Sequence, residues 1–204
     1  MSQSFFAGLF LGYSLIISIG AQNAFILKQG LLKKHIFWLC LFCSASDSLL
    51  IAAGVFGFAP LMAQYSSVIL VMKYFGAGFL FVYGAMSLHR AYTATHAMSL
   101  DAQAQSQTLS QALLLCAGFT WLNPQVYLDT VILVGSISAQ YSHIGYFALG
   151  AILSSFTFFF ALGYLARFLS PIFTSVKAWK ILDAITGIMM WAIAYSLVVG
   201  SLVK

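Results

Sequence analysis

Thr120-Trp121-Leu122-Asn123-Pro124-Gln125-Val126-Tyr127-Leu128-Asp129-Thr130 lies inside an apolar run from about Ala112 to Val134, and it carries the only proline found inside any such run. Proline removes one helix hydrogen bond and clashes with the carbonyl four residues back. It also pushes the preceding residue, Asn123, out of the α region. The expected outcome is a helix that unwinds near Leu122 and restarts at Pro124, with Asn123 as N-cap and Pro124 at the first helical position. A restarted helix aims bare N–H groups and partial positive charge inward, which suits an anion such as an amino-acid carboxylate. A kinked structural helix is the plainer reading of the proline alone, because membrane helices tolerate it. Asp129 shifts the balance, since a carboxylate surrounded by lipid also needs a reason.

Working outward, the composition excludes a soluble globular protein. The 204 residues are 62% hydrophobic and 6% charged, against about 25% charged in soluble domains. Glutamate is absent. The net charge of +5 does not point to nucleic acid, because the basic residues fall in short connections between long apolar runs. No secretory signal peptide is evident: the first apolar run is too long and no Lys or Arg precedes it. The partner implied instead is the lipid bilayer.

Six apolar runs can each cross a membrane, which needs about 20 residues. They lie near 4–27, 36–60, 67–88, 111–138, 144–169 and 180–201, with Pro60 ending the second. The third, with Gly76, Gly78 and Gly84, reads as tightly packed. The fifth, rich in Phe, reads as a helix without chemistry. A polar linker at about 89–110 divides one membrane transport domain, 1–204, into halves of about 1–90 and 108–204. Gly8-x-x-x-Gly12 in the first run is a close-packing face; internal packing accounts for it most simply, and a homodimer is compatible with it.

Asp47 lies about eleven residues into the second run, or about 17 Å along a helix, near the middle of the bilayer. Insertion of a charge there costs about 2.5–3.5 kcal/mol, so a group facing a polar cavity is expected. Asp183, three residues after Lys180, reads as an ordinary interfacial charge at a helix start. Cys40 and Cys43 share a helix face as C-x-x-C, but the thioredoxin-like βαβ context is missing, and they and Cys116 read as small buried hydrophobes. His35, His89, His96 and His143 stand singly, so no metal site is expected and no cofactor is implied.

The halves echo each other. Asn23, in Gly20-Ala21-Gln22-Asn23-Ala24-Phe25, and Asn123 each sit in a broken first helix of a three-span unit. Three spans per half inverts the second copy. The fold expected is therefore an all-α integral membrane protein of six transmembrane helices, arranged as two inverted three-helix repeats with broken first helices. Seven basic residues fall in connections one, three and five, and only Lys73 and Lys204 on the other side. That bias puts the odd connections in the cytoplasm and both termini outside.

At Gly20-Ala21-Gln22-Asn23-Ala24-Phe25, Ser46-Asp47, Gly54-Val55-Phe56-Gly57 and the Trp121-to-Asp129 block, the chain resembles the LysE/ArgO family of bacterial basic amino-acid exporters. The resemblance covers essentially the whole chain, and the W-L-N-P-x-x-Y-L-D block is its specific part. The family carries Gly-Pro-Gln-Asn in the first run; here Ala21 stands where the proline belongs, leaving Gly20 to permit the break. The resemblance implies a transporter rather than an enzyme. The same resemblance implies export of L-arginine, L-lysine or both across a bacterial inner membrane, driven by the proton motive force.

Arginine and lysine carry a side-chain cation, an α-ammonium and a carboxylate. Asp47 and Asp129 are expected to take the cations and to couple protons; Gln22, Asn23 and Asn123 at the breaks marked by Gly20 and Pro124 are expected to take the carboxylate. Trp121 and Tyr127 are expected to stack on a guanidinium or cap the cavity. Two other functions fit parts of the pattern. One is export of a neutral amino acid such as homoserine or threonine, with both aspartates serving proton coupling alone. The other is a membrane thiol–disulfide electron carrier using the cysteines.

Overall fold

The computed structural model describes residues 1–17, 20–58, 66–93, 107–170 and 175–199, and these are helical apart from caps and short turns. Pro60, Ser18-Ile19 and most of the linker at 89–110 lie outside the described residues. The helices are α1 (Ser2–Ile16), α2 (Ala21–Leu31), α3 (Ile36–Ala53), α4 (Ser66–Thr93), α5 (Leu109–Trp121), α6 (Pro124–Tyr127), α7 (Val134–Ser138), α8 (Ile144–Leu169) and α9 (Val176–Val199). Gly54–Phe58 follows α3 and kinks at Phe56 and Gly57, where the dihedrals are no longer helical (Gly57 φ 107°), and Leu128–Leu133 forms a wider π turn between α6 and α7.

Three of these stretches are long and apolar enough to cross a membrane: Ile36–Gly57, Ile144–Leu169 and Val176–Val199. A fourth arises if α1 and α2 count as one span bent by 81°. At 15 and 11 residues neither half of that pair reaches across alone, since a crossing takes about 20 residues. α4 has 28 residues, and α5 is a shorter apolar helix of 13.

Small residues set the packing. α1 lies along α8 and α4 along α9, while α3 packs on α8 and on the chain that follows the Pro124 restart. Gly8 and Gly12 face Phe147, Ala151 and Ser154 of α8, so that G-x-x-x-G face is used within the chain. Gly84 of α4 meets Gly187 and Trp191 of α9. A Cβ on Gly76 would collide with the Leu122 carbonyl oxygen, whereas Gly78 faces open space; the third run is thus tightly packed on one face only. Gly54 sits where a Cβ would come 2.5 Å from the Val131 carbonyl oxygen, fixing α3 against the second broken helix.

Candidate functional site

Two interruptions define the centre of the molecule. α5 stops at Trp121, and α6 begins at Pro124 with Asn123 as N-cap in an extended conformation and proline at the first helical position. The Asn123 side-chain oxygen accepts from the Gln125 N–H at 3.1 Å, and its carbonyl oxygen accepts from Val126 at 3.2 Å. Proline has no N–H to give. The first-turn donors at this restart are therefore already engaged, which differs from the bare anion site expected there. The first break has no proline, yet it forms: Gly20 is extended at φ −121°, ψ 165°, and α2 starts at Ala21 with no side-chain cap.

Each break strands carbonyls that lipid cannot satisfy, and a side chain from across the gap closes one. Asn23 Nδ2 donates to the Ile16 carbonyl at 2.7 Å. The Tyr127 hydroxyl donates to the Trp121 carbonyl at 3.0 Å. Tyr127 thereby serves the backbone rather than a ligand, and it is buried against Trp121, Leu50 and Val131.

Between the breaks lies a cavity of about 180 Å³. Its wall includes Gly20, Gln22, Asn23, Asp47, Asn123 and Asp129. Trp121 and Tyr127 are not on that wall, so the expected stacking on a bound cation has no geometric basis here. Asp47 is 4% exposed and accepts from the Ser155 hydroxyl at 2.8 Å. Asp129 is half-buried and accepts from Gln125 Nε2 at 2.9 Å. Both ion pairs among the described residues go to Asp183, so neither cavity aspartate has a cationic partner in them. Gln22 is buried; its amide nitrogen makes no hydrogen bond of ordinary length, with the Cys43 thiol the polar group nearby. A buried donor without an acceptor and a buried carboxylate without a cation are each costly alone, and half-buried Asp129 adds a second unpaired carboxylate. Together they suit a ligand bearing one carboxylate and two cations.

Sequence reasoning misses three members of this site. Gln125 is findable, because i and i+4 share a helix face. Ser155 and Phe159 are not: they lie on α8, the helix read as without chemistry, and only tertiary packing brings Ser155 to Asp47. Asp183 departs from its expected role. It is 3% exposed, bonded to Lys28 at 2.5 Å and 3.7 Å from Arg90, rather than an interfacial partner of Lys180. Its position opposite α2 and α4 in the bundle overrides the local i, i+3 spacing. The three cysteines are all fully buried. The close pair is Cys43 and Cys116, at 3.1 Å, rather than the C-x-x-C.

A family model described as LysE type translocator matches residues 13–201. The chain is 36% identical over 199 residues to the arginine exporter protein ArgO of Klebsiella pneumoniae strain 342, covering 97% of this chain and 94% of that protein. The same identity and coverage hold for arginine exporter protein ArgO of Salmonella schwarzengrund. No solved structure matches the chain.

Proposed function

The chain belongs to the LysE type translocator family, a family of transporters rather than enzymes, and on that premise we propose that it exports L-arginine, with L-lysine as a second substrate, from the cytoplasm in exchange for protons. It does so as a six-span protein of the bacterial inner membrane. The observation that carries this reading is one cavity holding Asp47 and Asp129 together with the unpartnered Gln22 amide at the start of α2.

The guanidinium and α-ammonium pair with the two carboxylates. The substrate carboxylate goes to Gln22 and the uncapped start of α2, because Asn123 occupies the donors of the other restart. Moving a cation out of a negative interior costs about 2.3 kcal/mol per 100 mV. An entering proton on the same carboxyl group cancels that charge movement. Asp47, buried beyond reach of any described cation, is either protonated or paired with substrate, and this alternation is the coupling.

The packing supports the inverted repeat. A two-fold axis relating the halves exchanges α2 on α8 with the chain after Pro124 on α3, and α1 on α8 with α5 on α3; α4 on α9 and α3 on α8 map onto themselves. Inverted repeats with discontinuous helices at a midplane site are a known transporter architecture.

Proteoliposomes loaded with labelled arginine test the reading. A pH gradient should drive efflux, lysine should compete, and threonine should not. Asp47→Asn should abolish the gradient-driven component. Full gradient-driven efflux by Asp47→Asn refutes proton coupling through this residue, and competition by threonine with none by lysine refutes the cationic substrate.

A further inference from the structure

A second cavity of about 250 Å³ lies toward the basic end of the bundle, walled by Lys28, Gln29, Tyr83, Arg90, Gln107 and Gln111. Four helices run from the aspartate cavity to this end, and a sealed layer interrupts each. On α2, Gln22 and Asn23 face the first cavity and Lys28 and Gln29 the second, while Phe25 between them is 1% exposed. Between Asn123 and Leu115 on the α5 side lies Phe119, also 1% exposed. On α9, Ile193 and Asp183 flank Met190, at 0%. α3 carries Asp47 and then the fully buried Cys43.

The layer is aromatic at its centre. Phe119 lies 5.3 Å from Phe25, 5.0 Å from Phe79 and 4.9 Å from Tyr83, ring centre to ring centre. Beyond it, Lys28 binds Asp183 at 2.5 Å and its ammonium lies over the Trp179 ring, while Arg90 lies over Tyr83. Phe25 and Lys28 are three residues apart on α2, and Tyr83 and Arg90 seven apart on α4. Each helix thus contributes both to the aromatic layer, α4 through Phe79 as well as Tyr83, and to the ion cluster. Any displacement of α2 against α4, α5 and α9 would therefore disturb both layers at once.

We propose that Phe25, Phe79, Tyr83 and Phe119, backed by the Lys28–Asp183–Arg90 cluster, form the cytoplasmic gate of the transporter, closed in this structure, with the second cavity as the vestibule where substrate arrives. This deepens the transport reading and rests on it. The gate lies at the end bearing Lys33, Lys34, Arg167, Lys177 and Lys180, the cytoplasmic end by charge bias. Ring packing excludes water and substrate. The ion cluster holds α2 to α9 by a buried charge-assisted bond, which is costly to break unless another charge replaces it.

Sided cysteine labelling tests this without any substrate. In a chain with Cys40, Cys43 and Cys116 replaced by alanine, a Val126→Cys reporter on the cavity wall is exposed to a membrane-impermeant maleimide. The reagent is added from the outer face, or from the cytoplasmic face in inverted vesicles. With the gate intact, labelling from the cytoplasmic face is slow. Lys28→Met and, separately, Phe25→Ala should each raise it by about tenfold, the shift expected when the closed state loses one charge-assisted or packing contact. Phe25→Ala leaves every charge in place and serves if Lys28→Met does not fold. Unchanged cytoplasmic-face labelling in the folded variants, or acceleration from the outer face alone, overturns the gate. Failure of the wild-type chain to transport arginine or lysine would instead sink the transport reading and leave the labelling result standing on its own.

Discussion

Lys28 Nζ lies 2.5 Å from Asp183 Oδ1, joining positions 155 residues apart at a point where both side chains are almost wholly buried. Arg90 stands 3.7 Å from the same oxygen, so two cations share one carboxylate. Removing one member of a buried pair costs about 3–5 kcal/mol when it leaves the other uncompensated. The three positions are therefore unequal. Asp183→Asn leaves buried Lys28 and part-buried Arg90 without their carboxylate and should fall in that range, seen as a large loss of thermal stability in detergent. Lys28→Met leaves Asp183 with Arg90 and should cost clearly less. Equal losses would mean that Arg90 does not support the carboxylate.

The Gln22 amide should act on the substrate carboxylate alone. A hydrogen bond to a charged group contributes about 1.5–3 kcal/mol, or about 10–100-fold in affinity. Gln22→Leu should weaken arginine binding by that factor and leave binding of agmatine, the decarboxylated analogue, unchanged. Binding to protein in nanodiscs measures both; equal weakening of the two ligands would remove Gln22 from the carboxylate site.

Gly76 and Gly78 offer a matched pair. The first is pressed against the Leu122 carbonyl at the helix break, and the second faces open space. Gly76→Ala should displace the break and cost about 1–3 kcal/mol by overpacking, with loss of arginine efflux. Gly78→Ala should be close to silent in both thermal stability and efflux.

The buried thiols should be dispensable for transport. Replacing Cys40, Cys43 and Cys116 together by alanine removes every thiol in the chain. Efflux should persist, with a modest stability loss from the space vacated beside Phe119. Abolished efflux in a folded triple variant would revive a redox role for the Cys43–Cys116 contact.

Tyr127 should prove structural. Its hydroxyl closes the Trp121 carbonyl stranded by the break, so Tyr127→Phe should cost about 1–3 kcal/mol in stability by leaving that buried group unpaired. Arginine affinity in nanodiscs should be unaffected. A selective loss of affinity with unchanged melting would return Tyr127 to the binding site.

Local chemistry makes one break legible and leaves the other open. Proline at 124 lacks an N–H and constrains Asn123 whatever surrounds it, so the stop at Trp121 and the restart at Pro124 follow from the residues themselves. At the first break Ala21 imposes nothing, and the interruption rests on Gly20 together with the Asn23 bond back to Ile16, which requires the bend to exist already. The apolar runs are equally legible, because removing a chain segment from water depends on its own composition.

The aspartates divide along the same line. Depth within a run marks Asp47 and Asp129 as costly groups needing a polar surrounding, and the sequence alone says that much. It does not say that Asp183, closer to a helix end, is as deeply buried as Asp47, or that it is the one with cationic partners. Burial and charge cost are properties of a segment, whereas a partner is a property of two segments that meet. Lys28, Arg90 and Asp183 come from three helices whose approach is set by glycine contacts such as Gly84 with Gly187, and that approach exists only in the folded bundle.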